Sequence, residues 1–197
     1  MHYIIDKNKK VIFIVNPKCG IQHINYLYSY LIGEKHTETP IYHQVSELPL
    51  DYNDYIIIFI IRNPYHRIVS GFIEKYSNEW QKEHYLNKYT IPGIDYDQLT
   101  FSEFVNELDL NKLKNIQKHH FNIQSSDLPN INYDNIIVYD LYNIDYKYIG
   151  ELFGKNISNE IKNRRGNHVN TKKWQLDEYI YDKPNIEYRY RKVAVKY

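Results

Sequence analysis

Val11-Ile12-Phe13-Ile14-Val15-Asn16-Pro17-Lys18-Cys19-Gly20-Ile21-Gln22-His23-Ile24 joins five consecutive apolar residues to a polar turn and then to a polar-apolar alternation that opens a helix. A short all-apolar run bounded by a turn is the pattern of a strand buried on both faces, and such strands belong to the parallel sheets of α/β proteins. Pro17 ends the strand, and Gly20 permits a tight backbone turn before the helix begins. The first amides of that helix, and the positive end of its dipole, face back toward Lys18. This arrangement suits a phosphate or a sulfate.

Working outward, the spacing predicts a first helix over 20–32, with Ile21, Ile24, Leu27, Tyr28 and Leu31 on one face and Gly33 as its stop. A second apolar run, Tyr55-Ile56-Ile57-Ile58-Phe59-Ile60-Ile61, again ends in a polar turn with proline, Arg62-Asn63-Pro64. The helix predicted over 65–76 carries Ile68, Val69, Phe72, Ile73 and Tyr76 as its apolar stripe. A third buried strand is expected at Asn135-Ile136-Ile137-Val138-Tyr139, followed by a helix with Tyr146, Ile149, Leu152 and Phe153 and a stop at Gly154. Repeated strand-turn-helix units imply an α/β fold, a single domain over 1–197 with a central, mainly parallel sheet flanked by helices. Ligands of such sheets sit outside the carboxyl ends of the strands, so the Lys18 and Arg62 turns are expected to face one crevice. A guanidinium there suits bidentate phosphate binding.

Composition excludes several classes. A chain of 197 residues is long enough to bury a core without disulfides or metals. With 25 basic and 24 acidic residues, no global field draws it to nucleic acid or to a membrane surface. Its one cysteine, Cys19, allows neither an intrachain disulfide nor a cysteine-based zinc site, and no metal cluster is apparent. No signal peptide is apparent, and no apolar run approaches the roughly 20 residues of a membrane span, so a cytoplasmic location is expected. The 22 tyrosines are spread along the whole chain, which argues against a dedicated base-stacking surface.

Between these elements lie polar connections. Residues 34–54 contain Pro40 and Pro49, with His36 and His43 read as loop histidines, and residues 77–99 form a long connection of the kind that makes a lid or substrate wall. Thr100-Phe101-Ser102-Glu103 is a capping box opening a helix with Phe104, Val105 and Leu108. His119 and His120 are adjacent and point apart, against a shared metal. The stretch 162–173 is the most basic, either a solvated loop or one that grips an anion.

Taken together, these residues resemble the sulfotransferase superfamily, most closely its carbohydrate-type branch. Members carry a strand ending in Pro-Lys-x-Gly, here Pro17-Lys18-Cys19-Gly20, which wraps the 5′-phosphosulfate of 3′-phosphoadenosine 5′-phosphosulfate (PAPS). A second strand ends in Arg-Asp-Pro-(aromatic)-x-Arg-(apolar)-(apolar)-Ser, which holds the 3′-phosphate. Arg62-Asn63-Pro64-Tyr65-His66-Arg67-Ile68-Val69-Ser70 matches it at every defined position but the Asp. Phe101-Ser102-Glu103-Phe104-Val105, His120-Phe121-Asn122-Ile123-Gln124 and the 139–154 segment resemble later family landmarks in the same order. The resemblance implies a P-loop-like architecture and PAPS as donor, with 3′,5′-adenosine bisphosphate as product and no metal. It implies a hydroxyl-bearing acceptor, a carbohydrate by branch; the charge balance and the apolar runs, rather than the resemblance, set the expectation of neither nucleic acid nor membrane as partner. The implied donor site comprises Pro17, Lys18, Cys19, Gly20, Ile21, Gln22, His23, Arg62 and Ser70. Ile21 and Gln22 stand where the family places small or hydroxyl residues.

For chemistry, Lys18 is the expected stabiliser of the leaving oxygen and His120 the first choice of base, with His23, His119 and Glu74 as alternatives. Two readings compete. A catalytically impaired member serving as a binding module is favoured by Ile21 and Gln22. A P-loop nucleotide kinase is disfavoured because Gly-x-x-x-x-Gly-Lys-Ser/Thr is absent.

Overall fold

The structure is a computed structural model that describes residues 1–34, 43–76, 100, 101, 104, 105, 124, 128 and 135–164. Its elements in chain order are β1 (His2–Asp6), β2 (Val11–Val15), α1 (Ile21–Leu31), β3 (Gln44–Val45), a 3-10 turn (Tyr52–Asp54), β4 (Ile56–Ile61), α2 (Pro64–Tyr76), β5 (Ile136–Asp140), α3 (Tyr146–Phe153) and α4 (Asn159–Asn163). The chain divides into two compact units. The first is built from Met1–Arg62 and Asp127–Asn167, and α2 belongs to the second.

Among the described residues, the first unit is an α/β arrangement on a sheet of five strands in the order β3-β1-β2-β4-β5. β2, β4 and β5 are parallel, in registers that run from Val11↔Ile56 to Val15↔Ile60 and from Ile57↔Ile136 to Ile61↔Asp140. Their carboxyl ends therefore lie level at one edge of the sheet. β1 and β3 extend the sheet in antiparallel fashion, with β1 paired to β2 from His2↔Val15 to Asp6↔Val11. Sequence patterning does not announce these two strands. β3 is two residues long, and β1 is a short strand joined to β2 by the polar turn after Asp6. Asp6 Oδ1 accepts from Lys9 N at 2.8 Å there, and Lys10 adopts a φ of 52°.

β2 is buried along its whole length because both faces of the sheet are covered. Val11, Phe13 and Val15 alternate onto one face, with Ile58 and Ile60, against Ile24, Leu27 and Tyr28 of α1 and Ile149 and Phe153 of α3. Ile12 and Ile14 fall on the other, with Ile57, Phe59, Tyr3 and Tyr55. Full burial of each such side chain contributes about 1.5–3 kcal/mol. β5 departs from the expected buried strand. It is the edge strand among the described residues, its burial is partial, and Val138 is 53% exposed. An apolar run alone does not distinguish a central from an edge strand.

α1 and α3 both end in a Schellman pattern. Glu34 N donates to Ser29 O (2.9 Å) and Gly33 N to Tyr30 O (3.1 Å), while Lys155 N donates to Gly150 O (2.8 Å) and Gly154 N to Glu151 O (3.2 Å). No helix among the described residues is long and apolar enough to cross a membrane.

The second unit contains α2, whose start explains the one mismatch in the Arg62–Ser70 motif. Asn63 Oδ1 accepts from Tyr65 N at 2.9 Å and His66 N at 3.4 Å, and Asn63 O accepts from Arg67 N at 3.0 Å. This is helix N-capping, for which Asn and Asp are equivalent, and Pro64 occupies the first helical position where its missing N–H costs nothing. The expected stripe of Ile68, Val69, Phe72 and Ile73 is buried. Phe72 packs edge-on against Phe101 (5.3 Å between centroids) and tilted against Phe104 (5.2 Å). Phe104 N donates to Thr100 O at 3.0 Å, so a helical turn opens where the capping box predicts it.

Candidate active site

The loop after β2 is shaped by its backbone. Cys19 N donates to Asn16 O at 3.0 Å, closing a turn that lifts the chain off the strand. Lys18 has a φ of 68° and Gly20 a φ of 83°, whereas Cys19 between them is not in the positive-φ region. Alternating handedness over successive residues gathers backbone N–H groups into a concavity that suits an anion. The helical ladder of α1 starts at Ile24, whose N–H reaches Gly20 O at 3.0 Å. The N–H groups of Ile21, Gln22 and His23 precede that ladder by helix geometry. No acidic residue stands in the first turn of α1, and Gly20 supplies no side-chain cap. The dipole's positive end is thus left uncompensated by this helix's own carboxylates, the electrostatic condition an anion requires.

Gly20 is needed here on conformational grounds. Its left-handed φ is costly for other residues, and a Cβ on it would collide with the Leu141 side chain. Cys19 is fully buried in the core, half-buried Ile21 packs against the same cluster, and Pro17, Lys18 and Gln22 are partly exposed.

Arg62, one residue past β4, comes to this loop from 44 positions away. Its Nη1 donates to Lys18 O at 3.0 Å and its Nη2 to Tyr142 Oη at 3.1 Å, and its guanidinium carbon lies 5.9 Å from the centre of the Tyr142 ring. Arg62 is only 6% exposed. Tyr142 belongs to the turn that follows β5. Asp140 Oδ1 accepts from Tyr142 N at 2.9 Å, Asp140 O accepts from Asn143 N at 2.8 Å, and Leu141 N donates to Ile61 O at 2.8 Å. The carboxyl ends of β2, β4 and β5 thereby bring together Lys18, Gly20, Arg62 and the 140–143 turn, as expected for the ligand-binding edge of a parallel sheet.

His23 is buried at the start of α1, with Nε2 2.8 Å from Tyr146 Oη and the two rings edge to face at 6.0 Å. That bond ties α1 to the first residue of α3. Ser70 is 8% exposed on α2 in the second unit, with Glu74 one turn further along the same helix and half-buried. Arg67 of the same motif is the largest fully buried side chain described. His119, His120 and the 165–173 part of the basic stretch lie outside the described residues.

Sequence reasoning overlooked Leu141 and Tyr142. A signal existed in principle, because both follow directly on a predicted strand of the parallel sheet, where such sheets gather their ligands.

The chain matches the family model described as "Sulfotransferase family" over residues 1–173. No curated protein and no solved structure matches it.

Proposed function

This chain belongs to the sulfotransferase family, and on that premise we propose that it moves a sulfuryl group from PAPS to an acceptor hydroxyl, with a carbohydrate as the acceptor class. The observation that carries this reading is the hydrogen bond from buried Arg62 to the carbonyl of Lys18, which joins two cationic residues at the carboxyl ends of adjacent parallel strands. The alternating handedness at residues 18–20 and the acid-free first turn of α1 fit the phosphosulfate end of such a donor.

The donor, when bound, supplies an activated sulfur whose bond to the phosphate oxygen breaks as a bond to the acceptor oxygen forms. Lys18 neutralises charge on the departing phosphate oxygen, and the N–H groups of Gly20, Ile21 and Gln22 hold the same anion. Pro17, Cys19 and His23 shape the loop around it. Arg62 and Ser70 serve the 3′-phosphate, Ser70 through its hydroxyl. His120 takes the acceptor proton, with His23, His119 and Glu74 as the other bases to be tested. Its bond to Tyr146 makes His23 the weakest of these. Ile21 and Gln22 offer backbone amides and one side-chain amide in place of hydroxyl donors. That substitution also supports the second reading, a donor-binding module with impaired turnover.

Calorimetric titration with 3′,5′-adenosine bisphosphate and with ATP tests the donor site. Saturable binding of the bisphosphate in preference to ATP is expected, and no binding at millimolar concentration overturns the proposal. Turnover of radiolabelled PAPS with a panel of sugars and peptides then separates enzyme from binding module. Lys18→Ala should lower transfer by about 100-fold or more.

A further inference from the structure

The loop that carries Lys18 holds a conformation its sequence does not favour. A left-handed lysine is disfavoured relative to the right-handed region, and Lys18 adopts a φ of 68°. Such a conformation persists only where the surroundings over-determine it, and the described contacts show how. Arg62 Nη1 holds the Lys18 carbonyl at 3.0 Å, and Arg62 Nη2 is itself held by Tyr142 Oη at 3.1 Å. Tyr142 is fixed by its turn, through Asp140 Oδ1 at 2.9 Å. The neighbouring Leu141 is anchored to Ile61 O at 2.8 Å and closes against Gly20 at the other end of the loop. Lys18, Arg62, Tyr142, Leu141 and Gly20 therefore form a closed circuit of contacts around the loop.

We infer that Tyr142 is a positioning residue for the donor site, fixing the Lys18 loop in its anion-binding conformation by orienting Arg62. The chemistry favours a phenol in this place. A buried guanidinium needs acceptors in fixed directions, and a tyrosine offers both a hydroxyl acceptor and a ring face for the cation. Tyr142 is 44% exposed, so its position is not explained by core packing. The turn after β5 is thus coupled to the Lys18 end of the loop after β2 through Tyr142 and Arg62, while Leu141 meets the Gly20 end. As far as it concerns donor affinity, this inference rests on the functional reading above.

Tyr142→Phe tests it, since the variant keeps the ring and removes only the acceptor. Hydrogen–deuterium exchange of the ligand-free protein, followed on a peptide covering residues 16–24, should show faster exchange in Tyr142→Phe with unchanged melting temperature. Exchange identical to the wild type overturns the inference. Binding of 3′,5′-adenosine bisphosphate gives the second reading. Tyr142→Phe should weaken it about threefold to tenfold, and by less than about twofold in an Arg62→Ala background, because a residue acting through Arg62 has no effect once Arg62 is gone. Equal effects in both backgrounds overturn the inference. Should the wild type fail to bind the bisphosphate, the functional reading falls while the exchange experiment still decides the role of Tyr142. Should Tyr142→Phe lower global stability, Arg62→Lys replaces it in the exchange test. A lysine keeps the charge without spanning both acceptors, and unchanged exchange there counts equally against the inference.

Discussion

Lys18 carries two properties that substitution can separate, a charge and a strained backbone. Its left-handed φ costs about 1–2 kcal/mol for a residue with a Cβ and little for glycine. Lys18→Gly and Lys18→Ala both remove the ammonium, so both should lose transfer, but the glycine variant should be the more stable of the two by about 1 kcal/mol. Urea denaturation measures the difference, and equal midpoints would show that the backbone is not strained at this residue. Gly20→Ala should act in the opposite sense. Its φ of 83° and the Leu141 side chain both resist a Cβ, although the leucine can rotate, so the conformational cost dominates. A loss of about 1–2 kcal/mol is expected, with a fall in bisphosphate affinity that calorimetry reads directly. At this scale the sequence was legible in kind but not in partners. The turn chemistry of Pro17 and Gly20 and the choice of Lys18 and Arg62 could be read from residue types. That Arg62 grips the Lys18 carbonyl and the Tyr142 hydroxyl depends on residues 44 and 80 positions away from it. No local pattern encodes such a meeting.

Elements were legible to the degree that burial imposed a period on them. β2 and β4 read clearly because both faces are covered, and α1, α2 and α3 because one stripe of each is buried. β1 and β3 lack that uniform pressure, and β5 looked central because Ile136, Ile137 and Val138 form an apolar run while its edge position leaves Val138 exposed. The caps carry a prediction of their own. Asn63→Ala removes the acceptor for Tyr65 N and His66 N and should destabilise α2 by about 1 kcal/mol, whereas Asn63→Asp should be nearly neutral or stabilising. Thermal unfolding of the two variants checks this, and an equal loss in both would mean that the side chain does not cap the helix. In the core, Phe13 stacks on Phe153 at 6.3 Å and meets Tyr28 edge-on at 6.3 Å, joining the sheet to α1 and α3. Phe13→Ala should cost about 3–5 kcal/mol, a loss read as a lowered urea midpoint.

The molecule as a whole combines a cationic edge, where Arg62 meets the Lys18 loop at the carboxyl ends of the parallel strands, with a tyrosine-bearing core, and that core should respond to alkaline pH. Tyr28 packs among Phe13, Phe153 and His43, with its hydroxyl donating to Asp6 Oδ2 at 3.4 Å. Burial first, and then the negative charge and hydrogen bond of Asp6, push its phenol up to about 12 from the usual value near 10. Tyr139 is raised as well, again by burial first and then by Asp145. A folded-state pKa above the unfolded one means that the folded chain keeps its proton where the unfolded chain has lost it. The stability linked to Tyr28 is therefore complete below about pH 10 and is lost as pH rises toward about 12. The exposed Lys10–Asp51 pair, at 2.6 Å, adds little because water screens it. Tyr28→Phe should be less stable than the wild type near neutrality by the lost hydrogen bond, and the gap should narrow steadily between about pH 10 and 12. Urea midpoints of both proteins at pH 8, 10 and 11.5 measure it, and comparing the pair cancels the other tyrosines that titrate in the same range. A gap that stays constant across the three values would mean that the Tyr28 phenol titrates alike in the folded and unfolded chains, and that burial beside Asp6 does not hold its proton.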